Sequence, residues 1–255
     1  MSRRTLILSA LILSVIALPA AAEASLEEIL ATHVESKGGM DALKNIKTLR
    51  IEGRMQMGPG MEAPITMEMK RPDSVRMEFV FQGMTGIQAY DGETGWKVMP
   101  FAGSSEPEKM TKTELDQIVD QSDMDGPLVD YASKGHKVEY LGTEDLDGTE
   151  AHKVKLTKEN GDETIYYLDT EYCLELKTET TADMQGMEVE VSVSYGDYKE
   201  VSGVMFAHSI SQEAAGVPGG GGMAITFDKI EANIDMAADR FAMPEKEAAP
   251  AEEGE

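Results

Sequence analysis

Methionine is the residue type that first raises a chemical question. The chain holds 18 of them, and Met55-x-Met57 and Met67-x-Met69 each set two thioethers on one side of an extended segment. Soft sulfur pairs of that kind suit Cu(I). The four histidines (His33, His136, His152, His208) stand at no ligand spacing, and the methionine pairs lie among bulky apolar residues, so no metal or other cofactor is expected. Nucleophile signatures are missing too. The sequence has no G-x-S-x-G elbow, no H-E-x-x-H and no phosphate-cradling glycine loop that opens a helix. Gly219 to Gly222 falls between two apparent strands and reads as a turn. With 47 Asp and Glu in the chain, carboxylates meet by chance, and their closeness says nothing about acid–base catalysis. His208 shares a strand face with Phe206 and Ile210, the setting of a hydrogen-bonded core histidine. These residues describe a protein that is not an enzyme.

Charge and composition narrow the partners. A net charge of −24 over 255 residues opposes binding to nucleic acid or to an anionic bilayer, both of which attract Lys and Arg. The 41% hydrophobic content is enough to build a core. Arg3 and Arg4 precede an apolar run from Leu6 to Leu18, followed by Ala20-Ala21-Ala22 and Ala22-Glu23-Ala24. That is the layout of a signal peptide at residues 1–22 with cleavage near Ala22 or Ala24. Thirteen apolar residues fall short of the roughly 20 needed to span a bilayer, and no Cys follows for a lipid anchor. The expected product is exported, unanchored and periplasmic. Loss of the two positive charges of Arg3 and Arg4 takes its net charge from −24 to −26. Cys173, the one cysteine, has no internal disulfide partner there and reads as a small residue at a strand start.

The elements follow from periodicity. Ser25 and Glu28 form a capping box, Leu26, Ile29, Leu30 and His33 keep helical spacing, and Gly38-Gly39 ends the helix. A second short helical turn spans Asp41 to Lys44. From Lys47 the period becomes two: Leu49/Ile51/Gly53/Met55/Met57 oppose Arg50/Glu52/Arg54/Gln56, and similar alternation recurs along the chain. Asp91-Gly92, Asp147-Gly148, Asn160-Gly161, Gln185-Gly186 and Ser202-Gly203 supply hairpin turns. About eleven or twelve short antiparallel strands result. A meander that long curls. The expected fold is mainly β (α+β): a curled antiparallel sheet forming an incomplete or closed β-barrel. The N-terminal helix covers it, as does a mid-chain helical lid opened by Thr111 and Glu114 and carrying Leu115, Ile118 and Val119. One domain spans residues 25–243, and the Ala/Glu/Pro-rich stretch 244–255 reads as a disordered acidic tail.

If every apolar strand face points into one interior, its wall includes Met55, Met57, Met67, Met69, Met77, Phe79, Phe81 and Trp96. Leu174, Leu176, Val189, Val191, Ile225 and Phe227 complete it. Methionine is unbranched and polarizable, suited to a surface that re-packs around different guests. Plain core filling accounts for the same residues equally well.

Longer stretches resemble a known family. Lys37-Gly38-Gly39-Met40-Asp41-Ala42-Leu43 leading into Ile46-Lys47-Thr48-Leu49-Arg50-Ile51-Glu52-Gly53 is similar to the opening of LolA-like outer-membrane lipoprotein-sorting proteins. Tyr90-Asp91-Gly92-Glu93-Thr94-Gly95-Trp96, Gly126-Pro127-Leu128-Val129-Asp130-Tyr131 and Tyr166-Tyr167-Leu168-Asp169 add to the likeness. The resemblance implies an unclosed barrel with a helical lid over a hydrophobic cavity. It implies a monomeric periplasmic carrier of lipoprotein acyl chains or other lipids, served by membrane-bound loading and receiving proteins. An envelope sensor or scaffold that binds a lipidated ligand and signals through a partner is the alternative. Sensors of that kind pair the barrel with a second domain, for which no residues remain.

Overall fold

The computed structural model describes residues 24–56, 58, 60–184, 187–215 and 222–245. The expected signal peptide and most of the expected tail lie outside the described residues, as does Met57.

Local signals in the sequence set the helical cover. Ser25 caps α1 (Leu26–Ser36), its hydroxyl accepting from the Glu28 amide while the Glu28 carboxylate accepts the Ser25 amide. This reciprocal pairing satisfies orphan donors of the first turn. The helix buries Ile29, Leu30 and His33. Gly38, at φ 118°, then turns the chain directly into α2 (Gly39–Asn45). Any Cβ at Gly38 would collide with the carbonyl of Gly203, so α2 rests against the sheet through that glycine.

The described strands form one antiparallel sheet of thirteen. They are β1 (Thr48–Gln56), β2 (Glu62–Lys70), β3 (Ser74–Phe81), β4 (Met84–Tyr90), β5 (Gly95–Met99) and β6 (Ser104–Lys109). After α3 (Lys112–Ser122) come β7 (Lys137–Leu146), β8 (Thr149–Thr157), β9 (Glu163–Asp169), β10 (Glu175–Met184), β11 (Met187–Val201), β12 (Val204–Ala214) and β13 (Met223–Ala232). The order runs β6-β5-β4-β3-β2-β1-β13-β12-β11-β10-β9-β8-β7. Two meanders are thus joined where β1 meets β13, with Ile51 opposite Ile230 and Gly53 opposite Phe227. β6 and β7 are the edges of the described sheet, which is curled and not closed.

The strand count exceeds the eleven or twelve read from alternation, for two local reasons. β3 and β4 connect through Gln82-Gly83, both at positive φ, and glutamine gives no turn signal. β6 reads Ser-Ser-Glu-Pro-Glu-Lys, a polar edge strand without an apolar face.

The concave face holds two apolar clusters under the helices. Leu43 and Ile46 from the α2 region, together with Ile118 from α3, meet Leu49, Met69, Val75, Val204, Phe227 and Ile230 of the sheet. Ile29 and Leu30 of α1 pack with Leu128, Val154, Leu156, Tyr166 and Leu168. Fully burying one such aliphatic side chain contributes about 1.5–3 kcal/mol.

The convex face of β1–β5 is also covered. Residues 233–243 cross it, the Arg240 guanidinium bonding Glu68 and Glu78 while Phe241 is buried. Beneath this strap Trp96 donates its indole N–H to the Phe241 carbonyl at 2.8 Å, and Arg76 stacks 5.5 Å from the indole centroid.

Candidate functional site

Between the two halves of the sheet, under α2 and the segment that follows α3, the concave face holds a partly open cavity of about 260 Å³. Its floor comes from four adjacent strands: Ile51 of β1, Phe227 and Ile230 of β13, Phe206 and Ile210 of β12, and Tyr195 and Tyr198 of β11. Met67 closes one side, and Leu43, Ile46 and Met124 form the roof. A larger depression of about 680 Å³ between α1 and residues 128–133 is wide open to solvent and carries Glu35, Asp130 and Ser133. The more sheltered cavity on the concave face is therefore the candidate site.

One end of this cavity is polar. Lys37, Arg71, Asp125 and Glu175 line it. Arg71 makes two bonds to Asp125, with Nη1 2.9 Å from Oδ2 and Nη2 2.5 Å from Oδ1. It also donates to the carbonyls of Ile46 and Leu43. Burial pushes the Asp125 carboxyl up, and the hydrogen bonds and charge of Arg71 outweigh this and hold it below its ordinary range.

Glu175 meets Lys37 at 3.5 Å and His33 Nε2 at 3.7 Å, and the Tyr198 hydroxyl donates to its backbone carbonyl at 2.8 Å with the carboxylate Oε2 3.2 Å away. Burial raises its pKa, yet the neighbouring Lys37 charge, with His33 and hydrogen bonds, brings it down to about 2. His33 is 1% exposed; its Nδ1–H donates to the Cys173 carbonyl at 2.8 Å, while Nε2 has no hydrogen-bond partner. Burial lowers the His33 pKa, so the ring is neutral near pH 7. Cys173 itself is buried, just before β10 at φ 53°, and burial pushes its thiol up to about 11. Such a thiol is inert. Among the described residues no cluster of His, Cys, Asp and Glu could hold a metal.

One β-bulge and one positive-φ residue explain why this polar end escapes simple alternation. Glu175 pairs with Leu168 and Lys177 with Tyr167, so Leu176 is the extra residue. Glu175 turns into the cavity, and Leu176 shares an outer depression with Leu146, Ser192 and Ser194. In β11 the register with β12 runs unbroken from Gly196 opposite Ser209 to Tyr198 opposite Ala207, but Asp197 between them takes φ 52° and interrupts the extended backbone. Tyr195 and Tyr198, on either side of it, both line the cavity though three positions apart.

Of the wall residues expected from the sequence, Met67 and Phe227 line the cavity. Met69 is core beside it, and Ile225 packs against the same cluster. Met55 and Met77 share the inner face by register, half-buried. Phe79 and Phe81 both pack on Phe101, with centroids 5.5 and 5.8 Å apart, toward the far end of the sheet. Gly86 makes that cluster possible, since a Cβ there would fall 2.8 Å from both Phe79 and Phe101. Val189 is buried and Val191 half-buried on β11, and neither lines the cavity. Leu174 sits in the turn before β10, its amide bonded to Asp169.

Three placements are corrections, Leu176 on the outer face being the first. Trp96 pairs with Ala89, which pairs with Arg76 and then Glu68, so it lies on the convex face beneath the strap. Within the lid, Leu115 and Ile118 pack inward, but Val119 is 40% exposed and faces a groove with Pro72 and Pro127.

The backbone places the chain in a known class. Comparison of the sequence with protein-family models and with curated proteins finds no match. Solved structures do match over the whole fold. A DUF1329 family protein from Desulfovibrio piger has 12% identity and a TM-score of 0.60, the match covering 85% of this chain and 96% of that one. A putative outer membrane lipoprotein-sorting protein domain from Vibrio parahaemolyticus follows at 11% identity and 0.58, covering 84% and 95%. A LolA superfamily protein from Nitrosomonas europaea has 12% identity and 0.58, covering 86% and 97%. The fold is that of LolA-like proteins, an unclosed barrel with a helical cover.

Proposed function

We propose that this protein is an exported periplasmic carrier that holds an acyl chain of a lipoprotein or lipid and moves it toward the outer membrane. One observation carries the reading: a mainly apolar cavity lies on the concave face, beneath a cover joined to the barrel by side chains. Ligand sites are concave and mostly apolar with a few convergent polar groups, and this cleft of about 260 Å³, walled by Ile, Leu, Met and Phe with charges at one end, has that character. An acyl chain gains about 0.8 kcal/mol for each buried CH₂. The likeness in fold to the putative outer membrane lipoprotein-sorting protein domain of Vibrio parahaemolyticus supports this.

In the mechanism, the cover opens when the Arg71–Asp125 pair parts from the carbonyls of Leu43 and Ile46. The chain enters along Ile51, Phe206, Ile210 and Phe227, and the cover closes again. Cavity walls of hydrophobic side chains and mutually paired charges hold a guest without attacking it, so the protein binds and does not catalyse. The apolar leader at residues 1–22 supports export. A charge of −24 supports membrane-bound loading and receiving proteins with basic docking faces, an association that weakens with salt.

The test is native mass spectrometry of the exported protein purified without detergent. An acyl-bearing molecule bound one to one is expected. A protein that emerges empty and takes up no added lipid would overturn the proposal.

A further inference from the structure

Resting on the carrier reading, we infer that the cavity selects a single acyl chain whose head is uncharged and both donates and accepts hydrogen bonds, as in a monoacylglycerol. A fatty-acid anion or a multiply acylated lipid fits it less well.

Size sets the number of chains. An apolar cavity of about 150 Å³ takes one benzene ring, and a water-sized group fills roughly 30 Å³ of liquid. A cavity of about 260 Å³ therefore accepts one short run of methylenes, not two or three chains side by side.

Charge sets the head. Lys37 and Arg71 face Glu175 and Asp125, two cations against two anions, with side chains 15–23% exposed. The wall is balanced, and a guest bringing net charge into it would leave one charge uncompensated, which is costly away from water. The acidic surface of the whole protein further repels anions on approach.

Geometry places the head at Lys37 and Glu175. Arg71 is already committed to Asp125 and two carbonyls. Lys37, by contrast, makes only long contacts, 3.3 Å to the Asp125 carbonyl and 3.5 Å to Glu175. The Glu175 carboxylate has Tyr198 no nearer than 3.2 Å, since that hydroxyl donates at 2.8 Å to the Glu175 backbone carbonyl, and its third neighbour, His33 Nε2, stands 3.7 Å away without a hydrogen-bond partner. An ammonium has three donors and a carboxylate about four acceptor sites. A hydroxyl between them accepts from Lys37 and donates to Glu175, completing both without adding charge.

The experiment is calorimetric titration of the delipidated full chain at pH 7.5 with monolauroylglycerol, laurate and dilauroylphosphatidylglycerol, each below its aggregation threshold. One monolauroylglycerol per chain is expected, bound at least tenfold more tightly than either other probe. Glu175→Gln gives the wall a net positive charge and should shift the ratio about tenfold toward laurate. Lys37→Gln, with the opposite sign, should shift it further away, and serves if Glu175→Gln unfolds by circular dichroism. Laurate or the diacyl lipid binding as tightly as monolauroylglycerol would overturn the head or single-chain assignment and leave the carrier reading standing. So would a ratio unmoved by both substitutions. No binding of any probe would overturn both.

Discussion

Arg71 and Asp125 form a two-bond pair across the mouth of the cavity, Nη2 to Oδ1 at 2.5 Å and Nη1 to Oδ2 at 2.9 Å. Arg71 follows β2 and Asp125 follows α3, 54 positions later. Since Arg71 also bonds the Leu43 and Ile46 carbonyls, one guanidinium joins the barrel, α2 and the lid.

Removing that junction should loosen the cover. Arg71→Leu leaves Asp125 partly buried without its cation, at a cost of about 2 kcal/mol, between exposed and buried pairs. The expected outcome is a lower denaturation midpoint and faster exchange of a fluorescent acyl probe. Stopped-flow displacement with unchanged exchange would show that the lid moves independently of Arg71.

Acid should weaken the fold in two steps with different owners. His33 has a lowered folded pKa, so its contribution is complete above about 6.5 and declines as pH falls through the folded value. Glu175, also lowered, contributes fully above its unfolded value near 4.5 and loses that contribution as pH falls toward about 2. Urea midpoints measured from pH 8 to 3 should drop across both windows, and His33→Gln should flatten only the upper one. A His33→Gln profile parallel to the parent would refute the buried neutral ring.

Trp96 offers a separate probe, because it reports on the convex face. With 1% exposure and a bond to the Phe241 carbonyl, its emission should be blue-shifted and insensitive to cavity ligands. Phe241→Ala should cost about 3 kcal/mol and red-shift the emission as the strap lifts. Strong quenching of Trp96 by an acyl ligand carrying a bromine on its chain would place the guest on the other face.

Much of the fold was legible because antiparallel strands with one polar face write their orientation into alternate residues. The Leu49/Ile51 and Met67/Met69 faces point as their period indicates, and both capping boxes form, at Ser25 and at Thr111. Trp96 was misread because the strap buries the convex face as well, so an apolar residue on β5 no longer reveals which side it takes. The polar end of the site was hidden by the bulge at Leu176, where one extra residue reverses the parity that follows, and by the positive φ of Asp197, which breaks the alternation between Tyr195 and Tyr198. Asp197 in a strand of alternating valines and tyrosines was the available hint, since aspartate tolerates positive φ. Val119 extends an apparent stripe with Leu115 and Ile118, yet only the latter two reach the sheet.

Filling the cavity tests the central claim most directly. Ile210 lies on its floor beside Phe227, and Ile210→Trp would occupy the space a guest needs. Native mass spectrometry of the parent with an added monoacyl lipid should give a one-to-one complex, and the folded Ile210→Trp variant should give none. A variant that is folded and still binds one lipid as tightly as the parent would mean that the guest sits elsewhere.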